Sequence, residues 1–106
     1  MKSWPAIPAL FFVFSLPMLA SSKEQRARGA SLFVSSGCQH CHMIDNVGGH
    51  RGPDLSNVGR TANKSAIRDQ ILYGSKIMPA FEDVLEPQDI DDLIAYLHSR
   101  RQKSAR

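Results

Sequence analysis

Three observations predict a small all-α domain built around a bound group. Apolar residues recur at helical spacing in three stretches, no run of alternating strand residues is present, and two cysteines and a histidine stand in the order Cys38-Gln39-His40-Cys41-His42. Two thiols and an imidazole at that spacing form the attachment site for c-type haem. The expected fold class is therefore all-α, with about three to five helices wrapped around one covalently attached haem.

The ends bound the domain. Lys2 begins a short positive segment, Ala6 to Leu19 is an apolar run interrupted by Pro8, Ser15 and Pro17, and Ala20-Ser21-Ser22 offers a small-x-small cleavage site. Residues 1–22 are therefore expected to be a signal peptide, the alternative being a retained anchor. Two prolines and a run short of the usual ~20-residue span argue against a stable transmembrane helix. Cleavage before Lys23 leaves 84 of the 106 residues and removes Lys2, lowering the formal charge from +3 to +2. A balance so near neutral carries no nucleic-acid or membrane signature. One domain, residues 23–101, with a basic tail at 102–106, is what this length supports. So small a core commonly needs a staple, and a covalently bound macrocycle would provide one.

The first helix is expected over Glu24 to Ser35, with Ala27, Ala30, Leu32, Phe33 and Val34 giving a partly apolar face. Gly29 costs such a helix about 1 kcal/mol relative to Ala, which implies close packing against it. Ser35-Ser36-Gly37 ends it just before the cysteines. If the next residues are helical, Cys38, Cys41 and His42 share a face and point at one ligand. From Asn46 to Asn63 the chain is rich in Gly, Asn and Asp and reads as an irregular wrap around the cofactor. A second helix is expected from a cap at Asn63 or Thr61 to about Tyr73, with Ile67 and Ile71 stacked and Gly74 just past its end. Ser75 to Glu86 reads as non-helical. The last helix is expected from Pro87 to about Arg101: Ile90, Leu93, Ile94 and Leu97 form an apolar stripe, and Pro87 suits a first turn. Asp89, Asp91 and Asp92 near its start offset the helix dipole and read as solvated. Arg100 to Arg106 reads as a frayed basic tail.

Taken together, Cys38-x-x-Cys41-His42, Gly52-Pro53-Asp54-Leu55, Met78-Pro79 and Leu93-Ile94-Ala95-Tyr96-Leu97 resemble the small monohaem class I cytochromes c, over nearly all of Gln25 to Arg100. The resemblance implies haem c attached through Cys38 and Cys41, with His42 as proximal and Met78 as distal ligand. It also implies that the Pro53 carbonyl accepts the His42 Nδ1–H, which would orient the ring and raise its basicity. Gly29 and Phe33 match positions that pack on Leu93, Tyr96 and Leu97. Met78 follows His42 by 36 residues in an irregular loop, and its only competitor in the mature chain, Met43, adjoins His42. His40 and His98 read as surface residues. His50 or Arg51 could meet a haem propionate, with Tyr73 or Arg51 standing in for the tryptophan the mature chain lacks.

The function implied is one-electron transfer in the periplasm. Histidine–methionine ligation raises the potential, and a six-coordinate iron favours electron transfer over substrate chemistry. A haem edge beside Cys38, with Lys76 and Phe81 near its rim, would form a weak docking surface for donors and acceptors such as a dehydrogenase, a quinol-oxidising complex or an oxidase. The protein would be a monomer and not an enzyme, reaching the membrane only through partners or a retained anchor. Three other readings are weighed. A haem-based ligand binder or peroxidase-like enzyme needs an open distal position, and the 75–86 loop supplies no His–Arg pair. A zinc site built from Cys38, Cys41 and two histidines does not match finger spacing. A Cys38–Cys41 disulfide would leave His42 unexplained.

Overall fold

The structure, a computed structural model, describes residues 22–102. The expected leader, apart from Ser22, and the end of the basic tail lie outside those residues. Helix α1 (Ser22–Ser35) leads into a short 3-10 turn (Cys38–His40) and a two-stranded hairpin of β1 (Met43–Ile44) and β2 (Val47–Gly48). Then come α2 (Val58–Thr61), α3 (Lys64–Tyr73) and α4 (Pro87–His98). Helix is thus the main secondary structure, as the residue pattern predicts.

Gly29 fixes how the termini meet. A Cβ there would overlap the Asp92 carbonyl oxygen and stand 2.6 Å from Tyr96 Cβ, so only hydrogen lets α1 and α4 cross this closely. Phe33, one turn on, lies 6.0 Å from the Tyr96 ring at a tilt of 58°. Ile90, Leu93, Ile94 and Leu97 of α4 and Ile67 and Ile71 of α3 complete the buried cluster with Phe33 and Ile44. Burial of each such side chain contributes about 1.5–3 kcal/mol.

Capping follows the sequence. Asn63 Oδ1 accepts the Ala66 N–H at 2.8 Å, so Asn63 rather than Thr61 caps α3, and Gly74 beyond its end has φ 67°. Pro87 occupies the first turn of α4, with the Glu86 N–H donating to Asp89 Oδ2 at 3.3 Å.

Four expectations need correction. The 46–63 stretch is not wholly irregular: Asp45 and Asn46, both at positive φ, turn the small hairpin, and α2 makes one helical turn. Helix α4 ends at His98, not near Arg101. Beyond it the backbone is claimed by the wrap: Arg100 accepts from the Gly59 N–H at 2.8 Å and the Gln102 N–H donates to Ser56 at 3.1 Å. The tail is accordingly tied down as far as Gln102 rather than frayed from Arg100. Finally, Asp92 is not solvated: its residue is 2 % exposed, and Arg28 Nε donates to Oδ2 at 3.0 Å and Gln88 Nε2 to Oδ1 at 2.8 Å. Burial pushes its carboxyl up, but hydrogen bonds from Arg28, Gln88 and Gln25 outweigh that and hold it below the usual carboxylate range.

Candidate functional site

The cysteine segment is a tight coil, not an α-helix. The Cys41 and His42 N–H groups both donate to the Cys38 carbonyl, at 3.2 and 3.0 Å. This puts Cys38, Cys41 and His42 on one cavity. His40 is exposed and is not among the residues lining it. The wrap is laced back along the coil: Gly49 N–H to Gln39 at 2.9 Å, Gly52 N–H to Cys41 at 2.7 Å and Leu55 N–H to Met43 at 2.8 Å. Pro53 is thereby presented to the histidine, and His42 Nδ1 lies 2.8 Å from its carbonyl oxygen. With Nδ1–H donating in that bond, a neutral imidazole keeps its lone pair on Nε2. Gly52 lies against the same ring: a Cβ would stand 2.5 Å from Cε1, 2.7 Å from Nδ1 and 3.0 Å from Nε2 of His42.

The other wall is a strap, residues 75–86. It is bound to α3 by Phe81 N–H to Ile71 at 3.0 Å and Glu82 N–H to Leu72 at 3.2 Å. Its start folds on itself, Ser75 N–H to the Met78 carbonyl at 2.9 Å and Met78 N–H to Ser75 Oγ at 3.2 Å. Met78 reaches the same cavity as His42, and its sulfur lies 3.5 Å from Gln70 Nε2, a donor. Met43 is not among the lining residues.

The cavity measures about 630 Å³, and Phe33, Leu55, Ile67, Ile71, Leu93 and Leu97 supply much of its apolar surface. That is a volume suited to a large cofactor. Burial pushes the Cys38 thiol up, away from the reactive thiolate character of a redox pair, and neither cysteine is in a disulfide. Among the described residues no group of three or more His, Cys, Asp or Glu could hold a metal ion, so the zinc reading gains no geometric support. An apolar chamber with two thiols, one oriented imidazole and one thioether on its walls fits a haem.

A family model, two related sequences and one solved structure bear on this arrangement. A family model described as "Cytochrome C oxidase, cbb3-type, subunit III" matches residues 24–97. The chain is 34 % identical over 95 residues to cytochrome c6 of Nostoc sp., spanning 84 % of this chain and 81 % of that one. The chain belongs to the small monohaem cytochromes c. It is also 32 % identical over 87 residues to the quinohemoprotein alcohol dehydrogenase ADH-IIG of Pseudomonas putida, covering 79 % of this chain and only 12 % of that enzyme. The c-type cytochrome SorU from Sinorhizobium meliloti has the same fold, with a TM-score of 0.63 at 22 % identity over 74 % of this chain and 92 % of that one. The cofactor of this cytochrome is covalent haem c, and its function is electron transfer.

Of the remaining sequence candidates, Arg51 lines the cavity and His50 does not. Tyr73 is 60 % exposed and is not among the lining residues, which leaves Arg51 as the one of that pair beside the site. Phe81 lines the chamber, whereas Lys76 is exposed outside it. His98 is half-buried, and its carbonyl accepts from Arg101 Nε at 3.3 Å. Sequence reasoning missed Gln70 and the contact of Gly52 with the imidazole. Gln70 follows Ile67 by one helical turn at the edge of the apolar face, a position that periodicity assigns equally well to solvent.

Proposed function

We propose that this cytochrome is an exported one-electron carrier in which Cys38 and Cys41 hold the haem by thioether bonds and His42 and Met78 are its axial ligands. The observation that carries this is the convergence of all four side chains, from two segments 36 residues apart, on one apolar chamber, with His42 already oriented by Pro53. The haem supplies reversible one-electron chemistry. The chain's own residues do the rest: Pro53 holds the imidazole tautomer, Phe33, Ile67 and Leu93 exclude water, and Gln70 donates toward the sulfur.

A filled distal position suits a carrier rather than a peroxidase or gas binder, and His42 is the sole histidine lining the chamber among the described residues. The working compartment is the periplasm, a reading supported by the leader-like residues 1–22. Donors and acceptors are other redox proteins. The likeness to part of a quinohemoprotein alcohol dehydrogenase makes a dehydrogenase a fitting donor, with an oxidase as acceptor. The carrier acts as a monomer.

The test is the visible spectrum, oxidised and dithionite-reduced, of protein exported by a host that attaches c-type haem. A low-spin c-type spectrum with the weak red band of iron–thioether ligation is expected. A high-spin spectrum, or rapid carbon monoxide binding to the reduced protein, would overturn the six-coordinate carrier.

A further inference from the structure

The formal charge of the mature chain is small, but its distribution is not. Residues 69–91 hold one cation, Lys76, against six carboxylates, Asp69, Glu82, Asp83, Glu86, Asp89 and Asp91. The rest of the mature chain holds eleven Lys and Arg against four carboxylates. The acidic stretch contains the strap that walls the haem chamber. Phe81 and Leu85 of that strap line the chamber, while Glu82, Asp83 and Glu86 between and beside them are exposed and form no ion pair among the described residues. Asp91 is already engaged by Arg68 at 2.9 Å.

The same strap exposes apolar surface. Ile77, which lines the chamber's mouth, is 78 % exposed and Val84 is 68 % exposed, with Pro79 and Ala80 also exposed between them. Ile77 and Pro79 belong to the chamber lining and would meet a haem held there, which leaves Val84 as the large aliphatic side chain of the strap that faces water outside that lining, among the exposed carboxylates.

We propose that the strap is the docking face of this cytochrome, and that its partner is a redox protein presenting an apolar centre ringed by Lys and Arg. The proposal rests on the electron-carrier reading and adds the sign of the partner. Charge complementarity selects the occupant: a local negative field at the electron's exit raises the encounter rate of cationic partners and repels anionic ones. Val84 then supplies short-range apolar contact in a weak, quickly released interface.

The field is read directly with small redox probes. Reduced holoprotein is mixed in stopped flow with tris(phenanthroline)cobalt(III), a trication, or with ferricyanide, a trianion. One electron passes from the protein to each, Co(III) becoming Co(II) and ferricyanide becoming ferrocyanide. The cobalt rate should fall several-fold as salt is raised from about 10 to 200 mM, and the ferricyanide rate should rise. Glu82→Lys with Asp83→Lys should lower the low-salt cobalt rate about tenfold and flatten its salt dependence, with the midpoint potential unchanged. A cobalt rate indifferent to salt and to the double substitution would overturn the acidic docking face while leaving the carrier intact. Salt-sensitive self-association in sedimentation would assign the strap to a second copy of the chain and overturn the proposed partner. Loss of reversible reduction in the unsubstituted protein would overturn the carrier reading and this proposal with it.

Discussion

Replacing Gly29 by Ala tests the packing on which the chamber depends. The new methyl would overlap the Asp92 carbonyl oxygen and stand 2.6 Å from Tyr96 Cβ and 2.8 Å from the Asp92 carbonyl carbon. Two of those three atoms are main chain and cannot rotate away. Helices α1 and α4 must therefore part by about 1 Å to restore ordinary contacts near 3.5–4 Å. Parting them loosens Phe33 and Leu93, which are 4 % and 1 % exposed. Overpacking costs about 1–3 kcal/mol, and a collision with backbone belongs at or above the upper end. Alanine's better helix propensity returns about 1 kcal/mol. The net destabilisation is about 2 kcal/mol, or roughly 8–16 °C in Tm for a domain of this size. Thermal and guanidinium unfolding of the haem-loaded protein, followed by far-ultraviolet circular dichroism, measures it. A Gly29→Ala protein as stable as the parent, or more so, would refute the close crossing.

Four further outcomes are expected. Asp92 has a depressed folded-state pKa, so its contribution is present above the unfolded value of about 3.9 and is lost as pH falls through the folded value. Asp92→Asn should therefore be less stable at neutral pH, with the gap to the parent closing on acidification; a gap independent of pH would remove the carboxylate from that role. Gly52→Ala should push the His42 ring off the Pro53 carbonyl and shift the midpoint potential by tens of millivolts, roughly the effect of losing a second-shell bond; an unaltered potential and paramagnetic NMR spectrum would show that the ring tolerates the methyl. Met78→Ala should lower the potential and let the reduced protein bind carbon monoxide, and an unchanged potential would exclude Met78 as a ligand. Cys38→Ala with Cys41→Ala, without haem, should give a largely unfolded or molten chain, whereas sharp thermal unfolding with full helix content would show that the protein core suffices.

What was legible in the sequence was what depends on near neighbours. The stripe Ile90, Leu93, Ile94 and Leu97 with Pro87 before it predicts α4 because its signals lie within a few turns, and the glycine cost at Gly29 predicts a close crossing without naming the partner. The hairpin and α2, of two and four residues per element, are shorter than any period that could reveal them. Their stability comes from Asp45 N–H to Ser56 Oγ at 2.7 Å and Gly59 N–H to Arg100, contacts across the wrap. The end of α4 was misjudged for the same reason, since Arg100 and Gln102 are drawn off by residues 56–59. Asp92 read as solvated because its partner, Arg28, lies 64 residues away on another helix. The site divides along the same line: the cysteine motif declares itself locally, whereas Pro53 and Met78 were placed by resemblance, because nothing near either residue says which chamber it will face.

The two walls of the chamber differ in how much they need the haem, and this separates the variants physically. Phe33, Ile67, Ile71, Leu93 and Leu97 belong both to the buried core and to the chamber lining. A haem held in the chamber would consequently be part of the core of a chain too small to bury much apolar surface alone. Losing the cysteines removes that filling and should cost the fold. The strap is another matter. Its bonds to Ile71 and Leu72 and its turn at Ser75 are main-chain and hydroxyl contacts that do not involve the Met78 side chain. Met78→Ala therefore leaves the strap anchored, and its effect should appear in ligation and potential with little change in helix content. If Met78→Ala unfolded the strap as well, the sulfur would have to be holding the wall in place, and Val84 with the carboxylates of Glu82, Asp83 and Glu86 could no longer be treated as a preformed docking face.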